Sequence, residues 1–445
     1  MDGFKDRLAA LGVHVPDILL PAKGTDWAKW AVVACDQYSS EPDYWKRVET
    51  AVSGAPSSLN LVFPEAYLED PDAEERIERI QDRMRDYLDG GIVSSAGEGF
   101  VLVERFTPYE EKPRVGLVLA VDLEAYCYDA DSSSLIRPTE GTIASRLPAR
   151  MRIRRGADLE LPHIMLLVDD PGRSVIEPIY AGREKMHKLY DFDLMLGSGR
   201  VRGWKIDEGT ILGRLAEALE AVRDAGSGLL FAVGDGNHSL ATAKAIWEET
   251  KAANPSDPGI MDHPARFALA ELVNVYDEGL PFHPIHRLLS GVDEDELLAA
   301  LKSRRDVEVK RCPSVEDAIA AVDASSEGEI ALVHRVALLS RKGSSLASFK
   351  NPSAHLAAGS LQGFLDPFLG AHKGASIDYI HGSESLVALA RMEGKLGLYL
   401  PPIDKSSFFA TVIRDGVMPR KTFSMGEAPE KRFYIEARRI TRCTR

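Results

Sequence analysis

Cysteine is scarce in this sequence. Cys35, Cys127, Cys312 and Cys443 are the four present, no two of them form a C-x-x-C pair, and the intervals between them are long. That spacing argues against a structural zinc site or a disulfide framework. No apolar run approaches the length of a membrane span. The opening stretch "MDGFKDRLAALGVHVPDILLP" has acids near Met1 and no long apolar core, so it does not read as a secretory signal. Positive charge is also short: 54 Lys and Arg against 68 Asp and Glu leave a net charge of -14. Such a balance argues against a nucleic-acid binder that works through a general basic surface, while a local basic pocket stays open. There is no internal repeat and no low-complexity segment. These absences together read as a reduced, cytoplasmic protein with neither membrane nor nucleic acid as partner.

What is present is an ordinary globular balance, 44% hydrophobic and 27% charged over 445 residues, a length that fits two or three domains. Strands and helices interleave throughout, which predicts an α/β or α+β fold with a mixed-sheet main body. "WAVVACDQYSS" predicts a strand over Trp30–Ala34 running into a polar turn. "EERIERIQDRMRDYLDGG" predicts an amphipathic helix closed by Gly90 and Gly91. "FVLVERF" and "VGLVLAVDL" read as consecutive strands. "TIASRLPARM" reads as a short helix or turn interrupted by Pro148. From Ser290 to about Ser345 the pattern changes to helix ("DEDELLAALKSR"), strand ("DVEVKRC"), helix ("SVEDAIAAVDA") and strand ("EIALVHRVALL"), a small additional α/β lobe. The expected divisions are therefore 1–125, an N-terminal α/β region; 126–289, a central region; 290–345, the lobe; and 346–445, a C-terminal region completing the main body.

The most informative stretch is "LLFAVGDGNHSLATAKAIWEE". It reads as a buried strand, a polar turn and a helix whose apolar face carries Leu240, Ala243, Ile246 and Trp247. One reading of the turn is local: Gly234 and Gly236 supply positive φ, Asp235 or Asn237 shapes the turn, and Ser239 caps the helix. The other is an anion site, because the first amides of a helix are unpaired and its amino end is partly positive. The spacing is neither a dinucleotide fingerprint nor a P-loop.

Four further groups could carry chemistry. "IRPTEGTIASRLPARMRIRR" gathers Thr139, Glu140 and Thr142 ahead of Arg146, Arg150, Arg152, Arg154 and Arg155; arginine recognises phosphate and carboxylate bidentately, although charge runs are usually solvated faces. In "FHPIHRLL", His283 and His286 are three apart, but Pro284 makes a shared helix face doubtful, so His286 and Arg287 read better as an anion contact than as metal ligands. "GVMPRKTFSMGEA" crowds Arg420, Lys421, Thr422 and Ser424 into one loop, suited to a phosphate or to a surface turn. Asp36, in "ACDQYSS", stands at a strand end, where sites gather in α/β sheets.

Several of these stretches carry a family resemblance. "VGDGNHSLATAKAIWEE", "IRPTEGTIASRLPARM", "ACDQYSSEPDYW", "LYDFDLMLGSGRVRGW", "PIHRLL", "DYIHG" and "PRKTFSMGEA" together resemble a bacterial family known as domain of unknown function ten-fifteen, from about Leu11 to Arg439. Many of its members carry Asp-Gly-His-His-Arg where this chain has Asp235-Gly236-Asn237-His238-Ser239. That signature is similar to one in free serine kinases of the ParB/sulfiredoxin-like group, which place nucleotide phosphates on the turn and following helix. Asp235, Gly236 and His238 match; Asn237 and Ser239 replace the other His and the Arg, whose charge the Arg146–Arg155 block, or Arg420 and Lys421, would have to supply. The resemblance implies a ParB/sulfiredoxin-like turn-helix element and a phosphotransferase of serine metabolism, interconverting serine and O-phosphoserine with ATP or ADP. Members are often encoded beside serine-biosynthesis enzymes, so association with one of these, or a homo-oligomer, is left open. In this reading Gly234, Gly236, Asn237 and Ser239 hold phosphate, and Asp235 binds Mg²⁺ or takes the hydroxyl proton. His238, Glu140 and Asp36 are acid–base candidates. Thr139, Thr142, Arg146 and Arg150 line the pocket, and Arg420, Lys421 and Thr422 close over it. A phosphoserine phosphatase using water, and a non-catalytic nucleotide- or amino-acid-binding regulator, are the alternatives.

Overall fold

The computed structural model describes residues 3–129, 132–226, 228–324 and 332–442. The chain divides into two compact units, one from 1–280 with 426–445, the other from 281–425.

In the first unit the long apolar strands lie at the centre of a nine-stranded mixed sheet. Its order is Lys188–Asp193, Arg200–Ile206, Phe100–Phe106, Arg114–Asp122, Phe267–Asn274, Met165–Val168, Phe231–Asp235, Ile136–Pro138, with Val13–His14 paired on Arg114–Asp122. The continuous apolar runs follow from burial on both faces. Val101, Val103, Val118 and Ala120 face one core, while Phe100, Leu102, Leu117 and Leu119 face another. The helix Ala73–Asp89 covers the first core with Ile77, Ile80, Met84 and Tyr87. The helices Gly209–Ala225 and Asn237–Ala253 cover the second with Leu212, Leu215, Leu240 and Trp247.

The last segment of the chain threads this unit through very short pairings. Phe433–Tyr434 pairs with Val32–Val33, and Arg438–Arg439 with Leu159–Glu160. What anchors it is buried charge. Arg432, 5% exposed, pairs with Glu271 at 1% and Glu436 at 0%, and Tyr190 donates to Glu436. Arg438 is held by Glu160 at 2.7 Å. Gly116 makes room for this network, since a Cβ there would lie 2.6 Å from Glu271 Oε1.

The second unit has a seven-stranded antiparallel sheet, ordered Val307–Cys312, Gly343–Lys350, Val333–Ser340, Lys395–Tyr399, His283–Ser290, Ser376–His381, with Phe423–Ser424 also on His283–Ser290. Helices Glu294–Ser303 and Ala357–Ala371 pack on one face, Val315–Asp323 and Ser383–Ala390 on the other. No helix among the described residues is long and apolar enough to cross a membrane.

Several sequence expectations change in detail. The lobe expected over 290–345 supplies only part of the second unit, because its strands pair with Gly343–Lys350 and Lys395–Tyr399, and the latter pairs in turn with His283–Ser290; only 426–445 returns to the first unit. The strand expected over Trp30–Ala34 is cut to Val32–Val33, since Asp26 caps a helical turn at Trp27–Trp30. Pro148 does not interrupt a helix. It occupies the first turn of Leu147–Arg154, where its missing N–H is harmless. Ser239 is not a cap; Gly236 holds that position. In "EIALVHRVALL" the strand is Val333–Ser340, and Glu329, Ile330 and Ala331, like Cys443, fall outside the described residues.

Removing one partner of a buried ion pair leaves the other charged and unsolvated. Arg432→Met should therefore destabilise the first unit by about 3–5 kcal/mol. All five tryptophans, Trp27, Trp30, Trp45, Trp204 and Trp247, lie in that unit, so denaturant unfolding followed by tryptophan fluorescence reads it selectively. An unshifted midpoint would show that Arg432 does not hold the segment.

Candidate functional site

The polar turn is shaped by two backbone devices. The strand Phe231–Asp235 runs antiparallel to Met165–Val168, and the register slips between Val233 and Asp235, which puts Gly234 in a bulge and swings Asp235 out of the regular pleat. Gly236 then takes φ +77°, and a Cβ there would meet Ile164 Cα at 3.0 Å, so both conformation and space require glycine. The helix Asn237–Ala253 starts directly afterwards, with no side-chain cap from the residue at its N-cap. This is the arrangement in which an amino end can take an anion.

The Thr139 segment is brought onto this turn, although about a hundred residues separate them in the chain, because Ile136–Pro138 pairs in parallel with Phe231–Val233. Thr139 Oγ1 donates to the Val233 carbonyl at 2.6 Å, and Asn237 Oδ1 accepts from the Thr139 amide at 3.3 Å. His238 Nε2 accepts from the Ile143 amide at 3.3 Å. Asn237 and His238 thus hold the loop that carries Glu140 and Thr142, both half-buried; the Thr142 hydroxyl is buried without a hydrogen-bond partner. Ser239 is half-buried in the first helical turn.

Most of the arginine block is spent elsewhere. Arg152 pairs with Glu74, Arg154 with Glu160 at 2.5 Å and Arg155 with Glu249 at 2.9 Å. Arg146 is exposed. Arg150 pairs with Glu65 at 2.6 Å, with side chains only 18% and 17% exposed.

Around the turn the tertiary structure adds groups that local sequence patterns did not single out. Lys431, from the C-terminal segment, reaches Asp235 Oδ2 at 3.0 Å, while Asp235 Oδ1 accepts from the Gly236 amide at 2.9 Å. Burial alone would raise the Asp235 pKa; Lys431, with help from His163 and the Gly236 amide, holds it below the ordinary carboxylate range. At 28% exposure the Asp235 side chain is still reachable. His163 stands two residues before Met165, the register partner of Asp235, and its Nδ1 hydrogen-bonds Tyr434 Oη at 2.8 Å. Tyr434 Oη also accepts from the Cys35 amide at 3.0 Å. Asp36 follows Cys35 and is bonded by Gln37 Nε2 at 2.9 Å. Burial, reinforced by Asp36 and opposed by Arg150, raises the Glu65 carboxyl above its usual range. The site thus combines Asp235–Lys431, Glu65–Arg150, Asp36 and His163. Glu65 is reached through "VFPEAY", His163 through "ELPHIM" and Lys431 through "APEKRF". None has a motif of its own; Glu65 and His163 directly follow a proline, and Lys431 stands two residues after one.

The other sequence candidates lie in the second unit. His283 is exposed and His286 buried, as odd spacing on the strand His283–Ser290 requires, so the two cannot share a metal. His286 Nδ1 accepts from the Leu400 amide at 3.1 Å, and its ring stacks on Tyr399 at 4.4 Å; burial, with Arg287 and His381 near, lowers its pKa to about 4. Arg287, 0% exposed, donates to the carbonyls of Ile285, Lys421 and Arg420. Its guanidinium therefore shapes the basic loop from beneath and does not face solvent as an anion contact would. Thr422 closes the same loop through the Pro419 carbonyl, leaving Arg420 and Lys421 exposed, Lys421 at φ +55°.

A family model described as "Protein of unknown function (DUF1015)" matches residues 19–367. The chain belongs to that family. No curated protein matches it. Among solved structures it is similar to a conserved hypothetical protein from Pyrococcus furiosus, at 13% identity and TM-score 0.38, covering 73% of this chain and 95% of that one. It is similar to a free serine kinase in complex with AMP, at 11% identity and TM-score 0.39, over 73% and 91% of the two chains. SbnI with a C-terminal truncation, from Staphylococcus aureus, shows 9% identity and TM-score 0.35 over 72% and 82%.

A carboxyl whose folded pKa is depressed stabilises the fold above its unfolded pKa, about 3.9 for Asp, and loses that contribution as pH falls through the folded value. Asp235 therefore contributes its full share at neutral pH. Lys431→Met leaves burial to dominate and inverts the sign: the variant should melt lower than the parent at pH 7 and recover part of the gap at pH 5. Parallel melting curves that keep a constant gap between those pH values would rule out the Asp235–Lys431 coupling.

Proposed function

We propose that this member of the DUF1015 family is a small-molecule phosphotransferase, moving a phosphoryl group between a nucleotide and the hydroxyl of a free amino acid, with serine and O-phosphoserine as the pair. The observation that carries the reaction class is the Asp235–Lys431 pair at the foot of an uncapped helix, with Glu65–Arg150 and Asp36 close by. Phosphoryl transfer asks mainly for positioning and charge neutralisation. The helix amino end and Lys431 supply positive potential for phosphate oxygens, and the unpartnered Thr142 hydroxyl is a further donor on the loop. The carboxylates balance the positive charge gathered around the reacting oxygen and fix the groups that carry it. The choice of serine rests on the likeness of Asp235, Gly236 and His238 to the free serine kinase signature.

The contacts divide the candidate roles. Thr139 and Asn237 bind each other and the strand end, so they set the turn. Asp235 has both oxygens engaged, so a Mg²⁺ arriving on nucleotide phosphates would have to displace Lys431 to reach it. Its better-supported role is to hold Lys431 at the helix amino end and balance its charge.

The direct test is incubation of the purified protein with O-phosphoserine, with and without AMP, ADP and Mg²⁺, following serine, inorganic phosphate and nucleotide products. Serine formed only with nucleotide supports transfer; serine with inorganic phosphate and no nucleotide dependence means a phosphatase; binding without turnover means a regulator. Asp235→Asn keeps size and polarity, and should lower turnover by roughly a hundredfold or more with little change in melting temperature. A normal rate in that variant would return the turn to a structural role.

A further inference from the structure

We propose that His163, and not the motif histidine His238, is the imidazole that exchanges a proton with the substrate; this rests on the phosphotransfer reading. His238 points its Nε2 at the Ile143 amide and so serves as a strut for the Thr139–Ile143 loop. His163 is placed differently. Its Nδ1 is occupied by Tyr434 Oη at 2.8 Å, which leaves Nε2 as the nitrogen that exchanges. The ring carbon next to Nε2, Cδ2, lies 3.5 Å from where a Cβ on Gly236 would sit, so this edge of the ring faces the turn. The groups around the ring come from four elements: Asp235 with Lys431 from the site strand and C-terminal segment, Glu65 with Arg150 from the 58–67 segment and the helix Leu147–Arg154, and Tyr434 behind the ring. An imidazolium here is balanced by the carboxylates of Asp235 and Glu65, and Tyr434, bonded by the Cys35 amide, keeps the ring from turning away.

The step balances as follows in the direction of serine release. The bond between phosphorus and the serine oxygen breaks, an oxygen of the nucleotide's terminal phosphate forms the new bond to phosphorus, and the serine oxygen takes the proton from His163 Nε2. Neutral imidazole remains, and solvent returns the proton. In the opposite direction neutral His163 takes the hydroxyl proton.

The experiment compares His163→Gln with His238→Gln in pH profiles of serine release from O-phosphoserine and AMP, each beside a thermal melt. The protonated imidazole is the active form in serine release, so the parent profile should carry a basic limb along which the rate falls. His163→Gln should lower kcat about a hundredfold with KM within a few-fold, and abolish that basic limb. His238→Gln should keep the limb at a reduced rate. A limb that survives in His163→Gln, or vanishes in His238→Gln, overturns the assignment. Histidine-ring NMR of the full chain, assigned with the same variants, separates this from the parent reading. If the parent protein turns over nothing, the phosphotransfer reading fails, while a shift of the His163 resonance on adding O-phosphoserine still supports the contact and its absence overturns it.

Discussion

Arg432 is the side chain on which the arrangement depends. It is fully enclosed, yet it satisfies Glu271 on a central strand, Glu436 on its own segment at 2.6 Å, and the Pro162 carbonyl at 3.0 Å. Those three contacts fasten the C-terminal segment to the sheet and to the residue just before His163. The neighbours of Arg432 then have no freedom of place: Lys431 falls on Asp235 and Tyr434 on His163. A buried ion pair is a weak source of net stability, because desolvating the charges offsets their attraction. What it provides here is register. A segment with only two-residue strand pairings would otherwise slide, and a one-residue slip would send Lys431 and Tyr434 to the wrong faces.

The turn itself works by the same economy of local geometry. A bulge at Gly234 and a left-handed Gly236 let the strand end without a loop, so the helix begins within two residues of Asp235. The carboxylate is then held where the positive end of the helix and Lys431 both act on it. Its charge is retained despite burial because two donors, one backbone and one ammonium, reach its two oxygens.

Charge density in the sequence proved a poor guide to charge at the site. The block from Arg146 to Arg155 looks like one basic patch, but a helix distributes its residues around an axis, and the acids of other elements claim Arg152, Arg154 and Arg155. Arg150 is left for Glu65, while Arg154, equally enclosed, goes to Glu160. The same holds for Arg287, whose planar fork is used to gather carbonyls beneath a loop. Arginine is chosen for that task because it stays charged when buried and offers several donors in fixed directions.

The continuous apolar runs of "FVLVERF" and "VGLVLAVDL", the helices of "EERIERIQDRMRDYLD" and "NHSLATAKAIWEE", and the glycine-bearing turn between strand and helix were all decided by the sequence alone. Periodicity and glycine act within a few residues, and no distant group is needed to read them. The proximity of Thr139 to Asn237 was foreseeable only as a pairing of two half-sites, and the parallel strand pair made it real. The tertiary structure alone decided that Lys431 and His163 act on Asp235, and that Tyr434 and Glu65 act on His163. Each lies in a stretch without a motif, and each is carried there by sheet register or by the buried Arg432 contacts. It also decided that the residues from Pro281 to Met425 form one unit, because the strands of the expected lobe find their hydrogen-bond partners on Gly343–Lys350 and Lys395–Tyr399, and the latter pairs in turn with His283–Ser290. Strand pairing over such separations depends on hydrogen bonds and side-chain faces that no local pattern encodes.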